Sequence, residues 1–157
     1  NLYFTANKKT GLGAEDIYLS KFENGSYTTP VNLGAGVNSE TWEFNACIAP
    51  DESFLLFSSF NRKDGLGGGD LYISFRENDT TWTPAKNLGV NINSAKLDYC
   101  PALAPDGNFL FFTSQRTDPA ITNHNKKSLS KILNLSDGVE NGYGNIYWVA
   151  FDPESYK

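Results

Sequence analysis

Apolar residues along this chain fall in short runs, and the runs recur. Leu55-Leu56-Phe57 and Leu110-Phe111-Phe112 each follow a Pro-Asp turn, and Leu2-Tyr3-Phe4 near the start has the same character. Runs of this length, bounded by Gly, Asn, Asp and Pro, predict buried β-strands rather than helices. The polar punctuation repeats with them. Asn32-Leu33-Gly34 and Asn87-Leu88-Gly89 stand 55 residues apart, as do Val37-Asn38-Ser39 and Ile92-Asn93-Ser94. Ala49-Pro50-Asp51 and Ala104-Pro105-Asp106 share that spacing. Asp16-Ile17-Tyr18 returns as Asp70-Leu71-Tyr72 and, beyond an insertion, as Asn145-Ile146-Tyr147.

One repeat predicts four strands, near 43–49, 54–60, 70–76 and 82–88. Four antiparallel strands in one such repeat match a single β-propeller blade. The expected fold is therefore all-β, a propeller of which about three blades are seen, within a ring of about 4–8 blades, six being one option. Blade one is partial (1–34), blade two complete (43–88), and blade three spans 98–157 with an insertion at 117–143. The remaining blades would come from the same protein or from a second copy, since so few blades cannot close. The insertion predicts the chain's only helix, packed on a blade edge. There Leu129, Ile132 and Leu133 follow Ser128 at helical spacing, with Ser128 as cap.

Composition agrees with the pattern. Of 157 residues, 14 are Gly, 11 Phe, 8 Tyr and 3 Trp, and there is no Met, which suits sheets. A net charge of −5 makes nucleic acid and anionic membranes poor partners. No stretch approaches the roughly 20 apolar residues of a membrane span, and residues 1–5 read as a strand rather than a signal peptide. Cys47 and Cys100 fall on adjacent inner strands at different heights, so they are expected to be unbridged, small buried hydrophobes.

The run from Ala104 to Arg116 resembles the signature of the WD-repeat-like, TolB-type β-propeller repeat. So do Gly68-Gly69-Asp70-Leu71-Tyr72-Ile73-Ser74 and Trp82-Thr83-Pro84-Ala85-Lys86-Asn87-Leu88-Gly89. The resemblance covers the chain apart from the insertion. It implies an exported bacterial protein, periplasmic or on the outer surface, and a C-terminus near Lys157. On that alignment Lys8 and Asn61 stand where blade three carries Arg116. Sequons such as Asn24-Gly25-Ser26 would be unused in a bacterium.

Candidate chemistry sits on the end of the blades that collects the longer loops. There Glu43 and Asp98 start equivalent inner strands, near Arg62 and Arg116. Such acids can do acid–base work or hold a cation, but recurrence in register favours hydrogen bonds to backbone or to those arginines. Asp51 and Asp106 are turn residues. Asp16 and Asp70 follow Gly-rich loops without the spacing of a calcium loop, and residues 65–69 lack the lysine and helix of a phosphate loop. His124, the only histidine, lies in the polar insertion and completes neither a metal site nor a triad. No cofactor is implied. The stretch 74–82 sits where sialidases carry an aspartate box, but it has Arg76 in place of the Asp and no Gly. The residues thus point to a non-catalytic binding or scaffold module, which the resemblance places in the bacterial envelope. It would recognise a protein or glycan through Glu43, Arg62, Asp98, Arg116 and His124 on the loop-rich face. The alternative is a glycan-processing, sialidase-like enzyme with catalytic residues in missing blades.

Overall fold

Strand formation follows the apolar runs, and each run is sorted by its period of two. The computed structural model describes residues 1–122 and 127–157. Its first sheet is β1 (Leu2–Ala6), β2 (Asp16–Ser20) and β5 (Val31–Asn32), beside a hairpin of β3 (Phe22–Glu23) and β4 (Ser26–Tyr27). The second is β6 (Trp42–Ile48), β7 (Phe54–Phe60), β8 (Asp70–Phe75) and β9 (Lys86–Asn87), hydrogen-bonded in that order. The third is β10 (Asp98–Leu103), β11 (Phe109–Ser114) and β12 (Asn145–Ala150). Every strand pair within the sheets is antiparallel, so the fold is all-β.

The second sheet lies between two apolar layers. Leu55 and Phe57 of β7 and Tyr72 of β8 join Ile17, Leu19, Leu33 and Val37 of the first sheet and its exit loop. Their neighbours Leu56, Leu71, Ile73 and Phe75 point the other way and join Leu110, Phe112 and Phe151. Alternate residues feed opposite layers, which is why β7 and β8 read as unbroken apolar runs.

Asparagines weld each sheet to the next loop. Asn38 accepts the Ile17 amide at 2.8 Å through Oδ1, and its Nδ2 donates to the Ile17 carbonyl at 2.9 Å. Asn93 does the same for Leu71, at 2.8 and 3.0 Å. The side-chain amide thereby imitates a strand partner, and the recurrent Asn-Ser of the sequence acquires a physical cause.

Several expectations change. The fourth strand of the second sheet shrinks from 82–88 to Lys86–Asn87, because Pro84 lacks the N–H a ladder needs. Thr83 takes over locally, its amide donating to Phe75 O at 2.8 Å and its Oγ1 accepting the Phe75 amide at 2.9 Å. The cysteines are free, as expected, but not buried: Cys47 is half-buried and Cys100 exposed. Cys100 stands at a bulge with φ 52°, as does Asn45 in the preceding sheet, and the bulge turns it outward. The insertion holds α1 (Pro119–Thr122) as well as α2 (Leu129–Ser136), and a 3₁₀ turn follows at Pro153–Tyr156, so its helix is not alone. Ser128 does cap α2, accepting the Lys131 amide at 3.3 Å. No residue of α2 is buried, however, and Leu129, Ile132 and Leu133, the side chains expected to pack on a sheet edge, are exposed. Among the described residues, no helix is long and apolar enough to cross a membrane.

The Gly-rich loop of 61–69 is a packing element. A Cβ at Gly67 would lie 2.5 Å from both Ser94 O and Ala95 C, whereas at Gly68 the nearest atom is 3.7 Å away. Gly67→Ala is therefore expected to cost about 1–3 kcal/mol, as overpacking does, while Gly68→Ala stays near neutral. Urea midpoints of the two variants check this; equal midpoints would contradict it.

Candidate functional site at the loop-rich end

Antiparallel pairing gathers the loops 7–15, 33–41, 61–69 and 88–97 at one end of the sheets, where β11 also ends and β12 starts. Two of the expected site acids lie at the starts of β6 and β10 there, and both are fully buried. Glu43 accepts the Ser39 amide at 2.9 Å, the Ser39 hydroxyl at 2.6 Å and the Ser59 hydroxyl at 2.9 Å. Arg62 donates to it through Nε at 3.2 Å and Nη2 at 2.9 Å, and Nη2 also reaches the Val37 carbonyl. Asp98 repeats the arrangement with Ser94 and Arg116: the Ser94 amide at 2.6 Å, its hydroxyl at 2.8 Å and Arg116 Nη2 at 3.2 Å. Arg116 Nη2 also donates to Ile92 O at 2.6 Å.

Each guanidinium lies over an aromatic pair of its own sheet. Arg62 stands 4.8 Å from the Tyr72 ring centre and 5.3 Å from Phe57. Arg116 stands 4.5 Å from Tyr147 and 5.5 Å from Phe112. In the first sheet Lys8 covers Tyr18 at 4.7 Å. This corrects the register read from the sequence: the counterpart of Arg116 is Arg62, not Asn61. The loop length between strand and arginine differs by one residue, which sequence alignment at constant spacing could not show.

The structure thus brings Glu43 to Arg62 and Asp98 to Arg116, as two separate pairs. Their charged groups are occupied by one another and by the loops they tie down; Arg62 keeps 12% of its side-chain surface and Arg116 24%. His124 lies outside the described residues.

Asp16 and Asp70 also serve loop backbone. Asp16 accepts the Leu12 and Gly13 amides at 2.7 and 3.1 Å, and Asp70 accepts the Leu66 amide at 2.5 Å. Oδ1 of Asp70 is buried without a partner, and burial pushes this carboxyl above the usual carboxylate range. Among the described residues, no group of three His, Cys, Asp or Glu is placed to hold a metal ion. Asp51 and Asp106 accept the amides of Ser53 and Asn108 at 3.0 and 3.1 Å, the turn role expected of them.

A tyrosine, a glutamate and an arginine do meet at the opposite, turn-bearing end. Tyr3 Oη donates to Glu52 at 2.8 Å, and Arg76 Nη2 donates to both Tyr3 Oη and Glu52, the latter at 2.8 Å. Arg76 also lies 4.9 Å from the Trp82 ring centre. Burial pushes the Tyr3 phenol up, away from what a nucleophile needs, so the trio reads as a tie between the first two sheets.

One feature of the loop-rich end escaped the sequence reading. Glu15, Trp42, Phe44, Phe60 and Asn61 line an open cleft of about 390 Å³. The signal available in the sequence is a departure from the repeat at two of the three aromatic positions, since Leu97 and Gln115 stand where Trp42 and Phe60 do, while Tyr99 keeps an aromatic at the position of Phe44.

No protein-family model matches the chain, and no curated protein matches it.

Proposed function

We propose that the chain is part of a β-propeller acting as a non-catalytic binding module of the bacterial envelope, with its loop-rich end as the recognition face. The observation that carries this reading is the doubled carboxylate–arginine pair, Glu43–Arg62 and Asp98–Arg116. It stiffens the loops while leaving neither acid open to a substrate, whereas glycoside hydrolysis needs two acids placed across a bond. The sheets stacked through two apolar layers support the propeller reading. The envelope location rests on the sequence resemblance.

Two measurements test it. Purified chain should cleave neither sialosides nor aryl glycosides; hydrolysis abolished by Glu43→Ala or Asp98→Ala at unchanged melting temperature would overturn the reading. Co-sedimentation with isolated bacterial envelopes should fall for Val90→Arg, whose exposed valine sits on the 88–97 loop, and hold for Asp106→Arg at the turn end. The opposite pattern would place recognition on the other end.

A further inference from the structure

We infer that the cleft at Trp42 is a saccharide subsite, in which a neutral sugar ring lies on Trp42, Phe44 and Phe60 while Glu15 and Asn61 take its hydroxyls. The inference rests on the reading that the loop-rich end is the recognition face, and it names the ligand class.

Three observations carry it. The first is the shape of the aromatic surface. Phe44 and Phe60 are stacked at 5.0 Å with only 27° between their planes, and Trp42 beside them is 41% exposed. The two phenyl rings cover one another's inner faces, so the open shelf is the exposed indole, and no box of crossed rings of the kind that holds a quaternary ammonium group is formed. A shelf suits the C–H face of a pyranose, whose partly positive hydrogens meet the negative face of the ring.

The second is polarity. The side chains of Glu15 and Asn61 make no hydrogen bond to the described residues, although both border the cleft. A carboxylate offers acceptors for hydroxyl protons, and a carboxamide offers both a donor and an acceptor. Together with the net charge of −5, an open carboxylate disfavours anionic ligands. The cleft volume of about 390 Å³ falls in the range of small-ligand sites.

The third is that the site does not return at the equivalent position of the next sheet. Glu15 bridges Trp42 in parallel register, and Gly69 bridges Leu97 in the same way one sheet later. Trp42 pairs with Phe60, and the corresponding residues there are Leu97 and Gln115. The fold therefore stands at the second position with Gly69, Leu97 and Gln115 beside an aromatic Tyr99, so packing does not require Trp42 or Phe60. An indole held in water where leucine suffices marks a surface shaped for contact.

The test is titration of the full chain with chitotriose, cellotriose and maltotriose, followed through the Trp42 indole N–H by ¹⁵N NMR. A saturable shift is expected with at least one of the three, with a dissociation constant in the millimolar to tens of micromolar range. The double substitution Trp42→Leu, Phe60→Gln installs what positions 97 and 115 carry, so it should fold and yet bind at least about tenfold more weakly, as loss of an aromatic anchor costs over 1.4 kcal/mol. Glu15→Ala should weaken binding several-fold. Absence of a saturable shift with all three sugars would overturn the inference, as would wild-type affinity in the double variant, or tighter binding of tetramethylammonium than of any sugar. Should the sugars fail while Val90→Arg still weakens envelope binding, the subsite falls and the recognition face stands.

Discussion

Alanine at Glu43 is expected to lower stability by about 3–5 kcal/mol, the range for removing one partner of a buried ion pair. Glu43 has no accessible surface and accepts hydrogen bonds from Ser39, Ser59 and Arg62. Without it, Arg62 remains fixed over Phe57 and Tyr72 with 12% of its side chain in water, a charge with no counter-ion. For a chain of this size each kcal/mol moves the melting temperature by about 2–4 °C, so thermal unfolding reads the effect directly. Asp98→Ala should cost less, because Arg116 keeps 24% exposure and can turn toward solvent. Replacing both members, Glu43→Leu with Arg62→Met, should recover much of the loss, since the penalty lies in the orphaned charge rather than in a missing attraction. A Glu43→Ala variant that melts with the parent would show that the loop end does not depend on this pair.

Phe57→Ala is expected to be as damaging, at about 3–5 kcal/mol for loss of a buried phenylalanine. Phe57 is wholly buried in the layer between the first two sheets, stacked on Tyr72 at 6.0 Å and 22°. Its ring also supports Arg62 at 5.3 Å, so the vacancy would loosen the charged pair above it. The same stack recurs as Phe112 on Tyr147 at 5.9 Å, and as Phe4 on Tyr18 at 6.1 Å. Phe4 is only half-buried, so Phe4→Ala should cost distinctly less. Denaturant unfolding of the two variants compares them; equal losses would contradict the expected difference.

Strand order and facing were legible because they depend on periodicities that local chemistry imposes. Alternation in 54–60 and 70–75 sends successive side chains to opposite layers, and any fold that buries both must make those residues strands. The recurrence of an acid at positions 43 and 98 was also readable as a hydrogen-bonding role toward backbone or Arg62 and Arg116, but the repeat spacing placed Asn61 opposite Arg116, and only the structure matches Arg62 to it. Element ends were less so. Pro84 was visible in the sequence, yet the side chain of Thr83 substituting for the ladder beside it was not.

What the sequence by itself determined is the all-β fold, the succession of strands within a repeat and the burial of the runs at 54–60 and 70–75. These follow from contacts within one strand or between sequence-adjacent strands, where spacing is information enough. Tertiary structure alone decided the rest, because it turns on distances between loops of neighbouring sheets. Gly67 reads as a flexible loop residue until Ser94 and Ala95 are found against it. Cys100 reads as a buried hydrophobe until the bulge turns it outward. Trp42, Phe44 and Phe60 carry no mark of a cleft in the strand pattern, and only the meeting of the 7–15 and 61–69 loops with the start of β6 sets them beside a carboxylate with Trp42 exposed.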